Sequence, residues 1–257
     1  MCRCAVLCLR SVYIASGILA PWRQPSLPSL QFKNLPLVEA ASVLRFGEEV
    51  DFNFGVLVGI WERLKDLGFT EVTHFQGGAP ILPFTVSIGA GTGAQFLNDR
   101  RDTGVEVKTT EVRCAWRRAG TTPQYDGFAS LLNVLRVAHD TLGKPRIGVV
   151  TMAYTNLDQS KDPLAEIIQV EGMERRLLDV LVDLNIARRL ESGAELRLQV
   201  AGGGENRQIV TTGGMKVAEG RDAFEALATD VHDAMQDEFL KLMTEHAKEV
   251  WKFDGIA

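Results

Sequence analysis

Two hydrophobic rhythms follow each other between Gly104 and Gly143. Val112, Cys114 and Trp116 are apolar, and they alternate with Arg113, Ala115 and Arg117, which are cationic or small. That two-residue period predicts a strand with one dry face. A proline-bearing loop comes next. Phe128, Leu131, Leu132, Leu135 and Leu142 then recur at helical spacing and predict an amphipathic helix. A dry strand face and an apolar helix stripe this close in sequence should pack together, so Trp116 and Leu135 are expected to share one interior.

The same reading extends along the chain. Leu37 to Phe46 predicts a strand entered through Pro36. Asp51 or Asn53 can cap a helix from Phe54 to about Leu67 that stops at Gly68, with Phe54, Leu57, Trp61 and Leu64 as its stripe. Val72 to Gln76 and Ile81 to Ile88 are strand-like, separated by Gly77, Gly78 and Pro80. The middle helix is expected to be capped by Asp126 and ended by Gly143. Ile147 to Tyr154 is apolar at successive positions, as in a central strand, with Asn156 and Asp158 opening its exit loop. Asp162-Pro163 starts a short helix to about Val170. Met173 to Leu190 fits a helix through Leu177, Leu181 and Leu184, or a strand through Val180, Val182, Leu184 and Ile186. The strand from Val180, in a hairpin with Glu195 to Ala201, is preferred. A strand near Gln208 to Thr212 follows. The last helix is opened by the Asp222/Glu225 capping box and buries Phe224, Leu227, Val231, Met235, Phe239 and Leu242, continuing toward Trp251. The expected fold class is α+β: a mainly antiparallel sheet with helices packed on it. Residues 30–257 would form a single domain, with 32–157 and 158–257 as candidate similar halves.

Composition narrows the class. The chain has 257 residues, 46% hydrophobic and 24% charged, which is ordinary for a globular protein. A net charge of −5 argues against dedicated nucleic-acid binding. The longest apolar run, Val12 to Ala20, is too short to span a bilayer. Three of the four cysteines (Cys2, Cys4 and Cys8) crowd the first residues, so only Cys114 belongs to the organised chain. That excludes a disulfide framework there and fits a reducing cytoplasm. Residues 1–29 read as an unstructured leader or a start placed too far upstream, with a secretory signal as the alternative.

Motifs of catalysis are weak. Gly89 to Ala94 matches the spelling of a dinucleotide fingerprint, but turn residues near Asn98-Asp99 leave too little room for the helix it needs. The triple glycine 202–204 also lacks a following helix for phosphate binding. His232 and His246 do not have metal-ligand spacing, and His139 lies on a helix stripe, where a hydrogen-bonded core role is expected. Cys114 is expected to be a buried small hydrophobe. No metal and no cofactor are expected.

The order of several short segments resembles a sporadically distributed bacterial family of proteins of unknown function. The matching residues are Asn34-Leu35-Pro36-Leu37-Val38-Glu39; Trp116-Arg117; Pro123, Tyr125 and Phe128; Tyr154 and Asn156; and His232, Phe239 and Thr244. The resemblance covers about Phe32 to Lys252 and departs most over Met173 to Gly220. It implies a cytoplasmic bacterial protein and supplies no reaction.

Function is therefore framed as alternatives. The first is a non-catalytic binding or interaction module, with Arg113, Trp116, Arg117, Tyr125, Tyr154 and Asn156 as contact candidates near loop ends. The second is an enzyme acting on a nucleotide or other anionic small molecule. Arg113 and Arg117 on one strand face, with Asn156, would hold the anion, and Asp126 or Asp158 would be the acid. The third is a defence- or toxin-associated regulator. The partner would be an unidentified protein or a small anionic ligand, and the last helix could carry a homodimer contact.

Overall fold

A computed structural model describes residues 30–32, 37–75, 93–119, 125–160, 162–174, 178, 183–190, 193–201, 207–218 and 224–256. The leader, the expected strand Ile81 to Ile88, the first part of the Gly89 to Ala94 run, Pro123, the triple glycine and Asp222 lie outside these residues.

Eleven strands and five helices are described. In chain order they are β1 (Leu30–Phe32), β2 (Leu37–Phe46), α1 (Phe54–Lys65), β3 (Phe69–Phe75), β4 (Gly93–Asn98), β5 (Thr103–Lys108), β6 (Glu111–Arg117), α2 (Phe128–Thr141), β7 (Ile147–Asp158), α3 (Leu164–Ile167), β8 (Asp183–Arg189), β9 (Glu195–Ala201), β10 (Arg207–Lys216), α4 (Phe224–Leu242), α5 (Glu245–Val250) and β11 (Phe253–Ile256). Nine strands form one sheet in the order β3-β4-β5-β6-β2-β7-β10-β9-β8, and β1 pairs with β11 separately. Every pairing is antiparallel. The fold is α+β.

The path repeats. A strand, a helix, an antiparallel meander and a second helix run from β2 to α2, and the same succession runs from β7 to α4. In each course the meander returns its last strand to the side of the first: β6 beside β2, and β10 beside β7. The β2–β7 ladder joins the two courses, with Ala41 opposite Ala153 and Leu44 opposite Val150. The second course opens at Ile147, and Asp158 is the last residue of its first strand.

Alternation puts Leu44, Val112, Cys114, Trp116, Val150 and Met152 on one side of the sheet. There they join Leu57, Leu64, Leu131, Leu135, Leu227, Val231 and Met235 in one buried cluster. Trp116 and Leu135 share it, as their two rhythms predict. A second cluster gathers Leu164, Ile167, Leu198, Val200, Ile209, Phe239, Met243 and Trp251 beneath α3 and α5.

Local signals fix several boundaries. Asn53 Oδ1 accepts the Val56 N–H at 3.2 Å and starts α1, and Gly68 takes a left-handed φ of 86° after it. The α1 stripe is rotated from expectation. Phe54 is 68% exposed, while Ile60 is fully buried. A residue at the first helical position projects beyond the contact with the sheet, and Ile60 falls one turn before Leu64, on the inner face. Asp126 does not cap α2. The N-cap is Gly127, without a side-chain cap, because the Asp126 carboxylate turns to Arg100 Nη2 at 2.6 Å. Asn156 and Asp158 lie inside β7 rather than in an exit loop, since β10 pairs along its whole length. Asp158 is buried and receives Arg207 Nη1 at 3.0 Å. The last helix does not run unbroken toward Trp251. It stops at Leu242, and Thr244 caps α5 by accepting from Ala247 N.

Where α4 crosses β10, Gly213 leaves no room for a side chain. A Cβ there would sit 2.6 Å from Met235 Sδ and 2.8 Å from Val231 Cγ1. Glycine thus sets the helix-to-sheet distance. Gly213→Ala is expected to cost about 1–3 kcal/mol by overpacking. A lower denaturation midpoint at unchanged slope would show it, and an unchanged midpoint would count against the close approach.

Candidate functional site

The residues singled out from sequence converge on one end of the β6–β2–β7 ladder, but on its two opposite faces. Glu39 pairs with Arg117 in register, while Ala40 sits between Trp116 on one side and Tyr154 on the other. Odd and even positions therefore part company at this point.

On the face turned away from the described helices, Glu39 Oε1 accepts from Arg113 Nη2 at 3.1 Å and Oε2 from Arg117 Nη2 at 3.2 Å. One carboxylate thus clamps two guanidinium groups that stand four residues apart on one strand face. All three side chains are partly exposed, so the pairs add little stability and mainly fix geometry. Beside them the ladder sets Gln95, Glu106 and Arg113 in one row across β4, β5 and β6, with Gly104 opposite Ala115 in the next. Because those two residues carry almost no side chain, a pocket opens between the charged rows. Its wall includes Gln95 and Glu106, both more than nine-tenths buried. Gln95 Oε1 and Glu106 Oε2 have no hydrogen-bond partner among the described residues, although Lys108 Nζ lies 3.3 Å from the latter as an ion pair.

On the covered face the aromatic candidates form a chain. Trp116 is buried, with its ring 5.0 Å from that of Tyr125. The Tyr154 hydroxyl is 2.9 Å from His232 Nδ1, and Gln236 Nε2 is 2.8 Å from His232 Nε2. Phe128, the first residue of α2, stacks on the imidazole at 4.2 Å. With the Gln236 amide nitrogen facing Nε2, that atom accepts, so the ring proton sits on Nδ1 and is donated to Tyr154. The Tyr154 hydroxyl therefore accepts from the ring, with Tyr125 as a neighbour. Tyr125's own hydroxyl has no partner of normal geometry. Asn156 Oδ1 and Thr211 Oγ1, buried near Tyr154 on the same face, are also unpaired.

Burial governs the titration of this face. It lowers His232 to about 4 and raises the Cys114 thiol and both tyrosines above their ordinary ranges. Asp233, the residue after His232, is raised by burial and by Asp237 and Asp230. A thiol held protonated in an apolar setting is a poor nucleophile.

The set expected to hold an anion does not assemble. Asn156 faces the helices while Arg113 and Arg117 face away from them, because a single-residue step along a strand reverses the face. Of the two candidate acids, Asp158 is buried with Arg207, and Asp126 is held by Arg100. His139 Nε2 meets the Pro145 carbonyl at 2.8 Å, which is the structural role expected of it. Glu39, Gln95, Glu106 and Gln236 were not among the contact candidates drawn from the sequence, although Glu39 belongs to the segment 34–39 of the resemblance. Only Gln236 carried a signal, its four-residue spacing from His232. The other three depend on cross-strand register.

Among the described residues no group of three or more His, Cys, Asp or Glu side chains could hold a metal ion, and no helix is long and apolar enough to cross a membrane. No family model matches the chain, and no curated protein matches it.

His232 makes stability depend on pH. Its proton affinity falls from an ordinary 6.5 to about 4 on folding. Between those values the unfolded chain binds a proton that the folded one does not, so this contribution is full above pH 6.5 and is lost as pH falls toward 4. Urea unfolding at several pH values should show that slope in the wild type and its loss in His232→Gln. An equal slope in both proteins would exclude His232 as its source.

Proposed function

We propose that the protein is a non-catalytic binding module that meets its partner through the face around Glu39, Arg113 and Arg117, turned away from the described helices. The observation that carries this reading is the Glu39 clamp, which orders two arginines at a partly exposed surface before any partner arrives. Pre-ordering long side chains removes an entropic cost of association, and arginine is well suited to contact surfaces. Four groups whose proton affinities burial displaces, Cys114, Tyr125, Tyr154 and His232, lie on the opposite face, turned toward the helices.

One arrangement favours the enzyme alternative. Tyr125 keeps an unpaired hydroxyl beside Trp116, with Tyr154 held by His232 on the same face. On that reading the Tyr125 hydroxyl would donate a hydrogen bond to an anionic substrate. Membership of the bacterial family of unknown function, a cytoplasmic setting, a role as a defence- or toxin-associated regulator and a homodimer through α4 remain proposals alongside the binding reading.

The test compares wild-type protein with Arg117→Glu, which opposes Glu39 across the ladder. Partner capture from the native host should fail in the variant while its circular dichroism stays native. Purified protein should leave nucleotides and phosphoesters unchanged. Arg117-dependent capture without turnover supports the module. Turnover that is lost in Tyr125→Phe would overturn the module in favour of the enzyme.

A further inference from the structure

We infer that the pocket floored by Gly104 and Ala115 takes the planar, forked N–H group of a small guanidinium or amidinium compound. This rests on the binding-module reading and names the chemistry one part of that face would recognise. Three features of the pocket converge on it.

The first is the pair of unsatisfied acceptors. Gln95 and Glu106 are cross-strand neighbours on β4 and β5. Directly opposed residues place their side chains about 5 Å apart at Cβ. Gln95 Oε1 is buried and unpaired, and Glu106 Oε2 is buried with only the Lys108 ion pair at 3.3 Å and no hydrogen bond; a buried acceptor left without a hydrogen bond is costly. Two acceptors side by side suit a forked donor, which gives one N–H to each, better than a single-point cation.

The second is the floor. Gly104 and Ala115 face each other across β5 and β6. A Cβ on Gly104 would come within 3.1 Å of Leu97 Cδ2 and 3.7 Å of Gln95 Nε2. Leu97 thus leans over Gly104, so the open floor lies toward Ala115 and suits a thin, flat group better than a tetrahedral head.

The third is charge. Across the pocket, Glu39 already binds both Arg113 and Arg117. An incoming carboxylate or phosphate would have to compete with Glu39 for the same two groups, whereas a cation adds to Glu106. Lys108 and Arg113, the cross-strand neighbour of Glu106, are the local competitors; Lys108 Nζ is shared with Glu111 at 3.4 Å, and Arg113 is engaged by Glu39.

The experiment titrates the full chain with methylguanidinium and acetamidinium at millimolar concentrations. Binding is followed by saturation-transfer NMR and by the melting midpoint. Tetramethylammonium supplies charge without N–H groups, and acetate and inorganic phosphate supply the opposite charge. The forked cations should bind saturably and raise the midpoint, while tetramethylammonium should not. Glu106→Gln, which keeps the shape and removes the charge, should weaken binding by about tenfold or more. Ala115→Val should abolish it by filling the floor, with its probe-free midpoint near wild type. Absence of saturable binding by both forked cations, or equal affinity in Glu106→Gln, overturns the inference. Arg113-dependent binding of acetate or phosphate in their place also overturns it, while leaving the proposed contact face standing.

Discussion

Ala40 stands between Trp116 and Tyr154 in the β6–β2–β7 ladder, and its methyl group is fully buried. A larger residue there would push apart the two aromatic side chains that roof the strands at this end. One step away, Glu39 points to the other side of the sheet and gathers Arg113 and Arg117. The two-residue pleat decides all of this. The ladder is paired on both sides of β2, so the register cannot slip without exposing the apolar face of the central strands.

The covered side is not uniformly dry. Its two apolar clusters share α4, which gives Leu227, Val231 and Met235 to one and Phe239 to the other, and His232 lies on the same helix. Polar groups in such a place must be paired or they cost stability. The imidazole is paired at both nitrogens, whereas Tyr125, Asn156 and Thr211 each keep an unmatched oxygen. Within one fold, then, the interior holds a tightly specified donor chain and several acceptors or hydroxyls that the protein itself does not satisfy.

Much of the architecture could be read from residue order. Val112, Cys114 and Trp116 announced their strand, and Leu131 with Leu135 announced the helix above it, because burial on one face leaves a period in the sequence. The hairpin of β8 and β9 followed from alternation at Leu184, Ile186, Leu196 and Leu198. What escaped was whatever depends on pairing between distant strands. Glu39 and Arg113 are 74 positions apart, and nothing local records which side of the sheet either occupies. The same blindness joined Asn156 to the arginines, since proximity to a loop was inferred where strand pairing in fact continued to Asp158. Capping misled where a stronger suitor existed: Asp126 is a good N-cap type, yet Arg100 holds it.

The sheet stays open, and as described its two rims are β3 and β8. Each rim carries ionic side chains engaged with their own molecule. Glu71 is tied to Arg101, and Arg188 to Glu238 and Glu171. Charges along a rim penalise docking of a foreign strand against its main chain, a common safeguard against fibrous growth. Lateral accretion is thereby discouraged, and whatever this protein associates with has more to gain by approaching broadside than by extending its pleat.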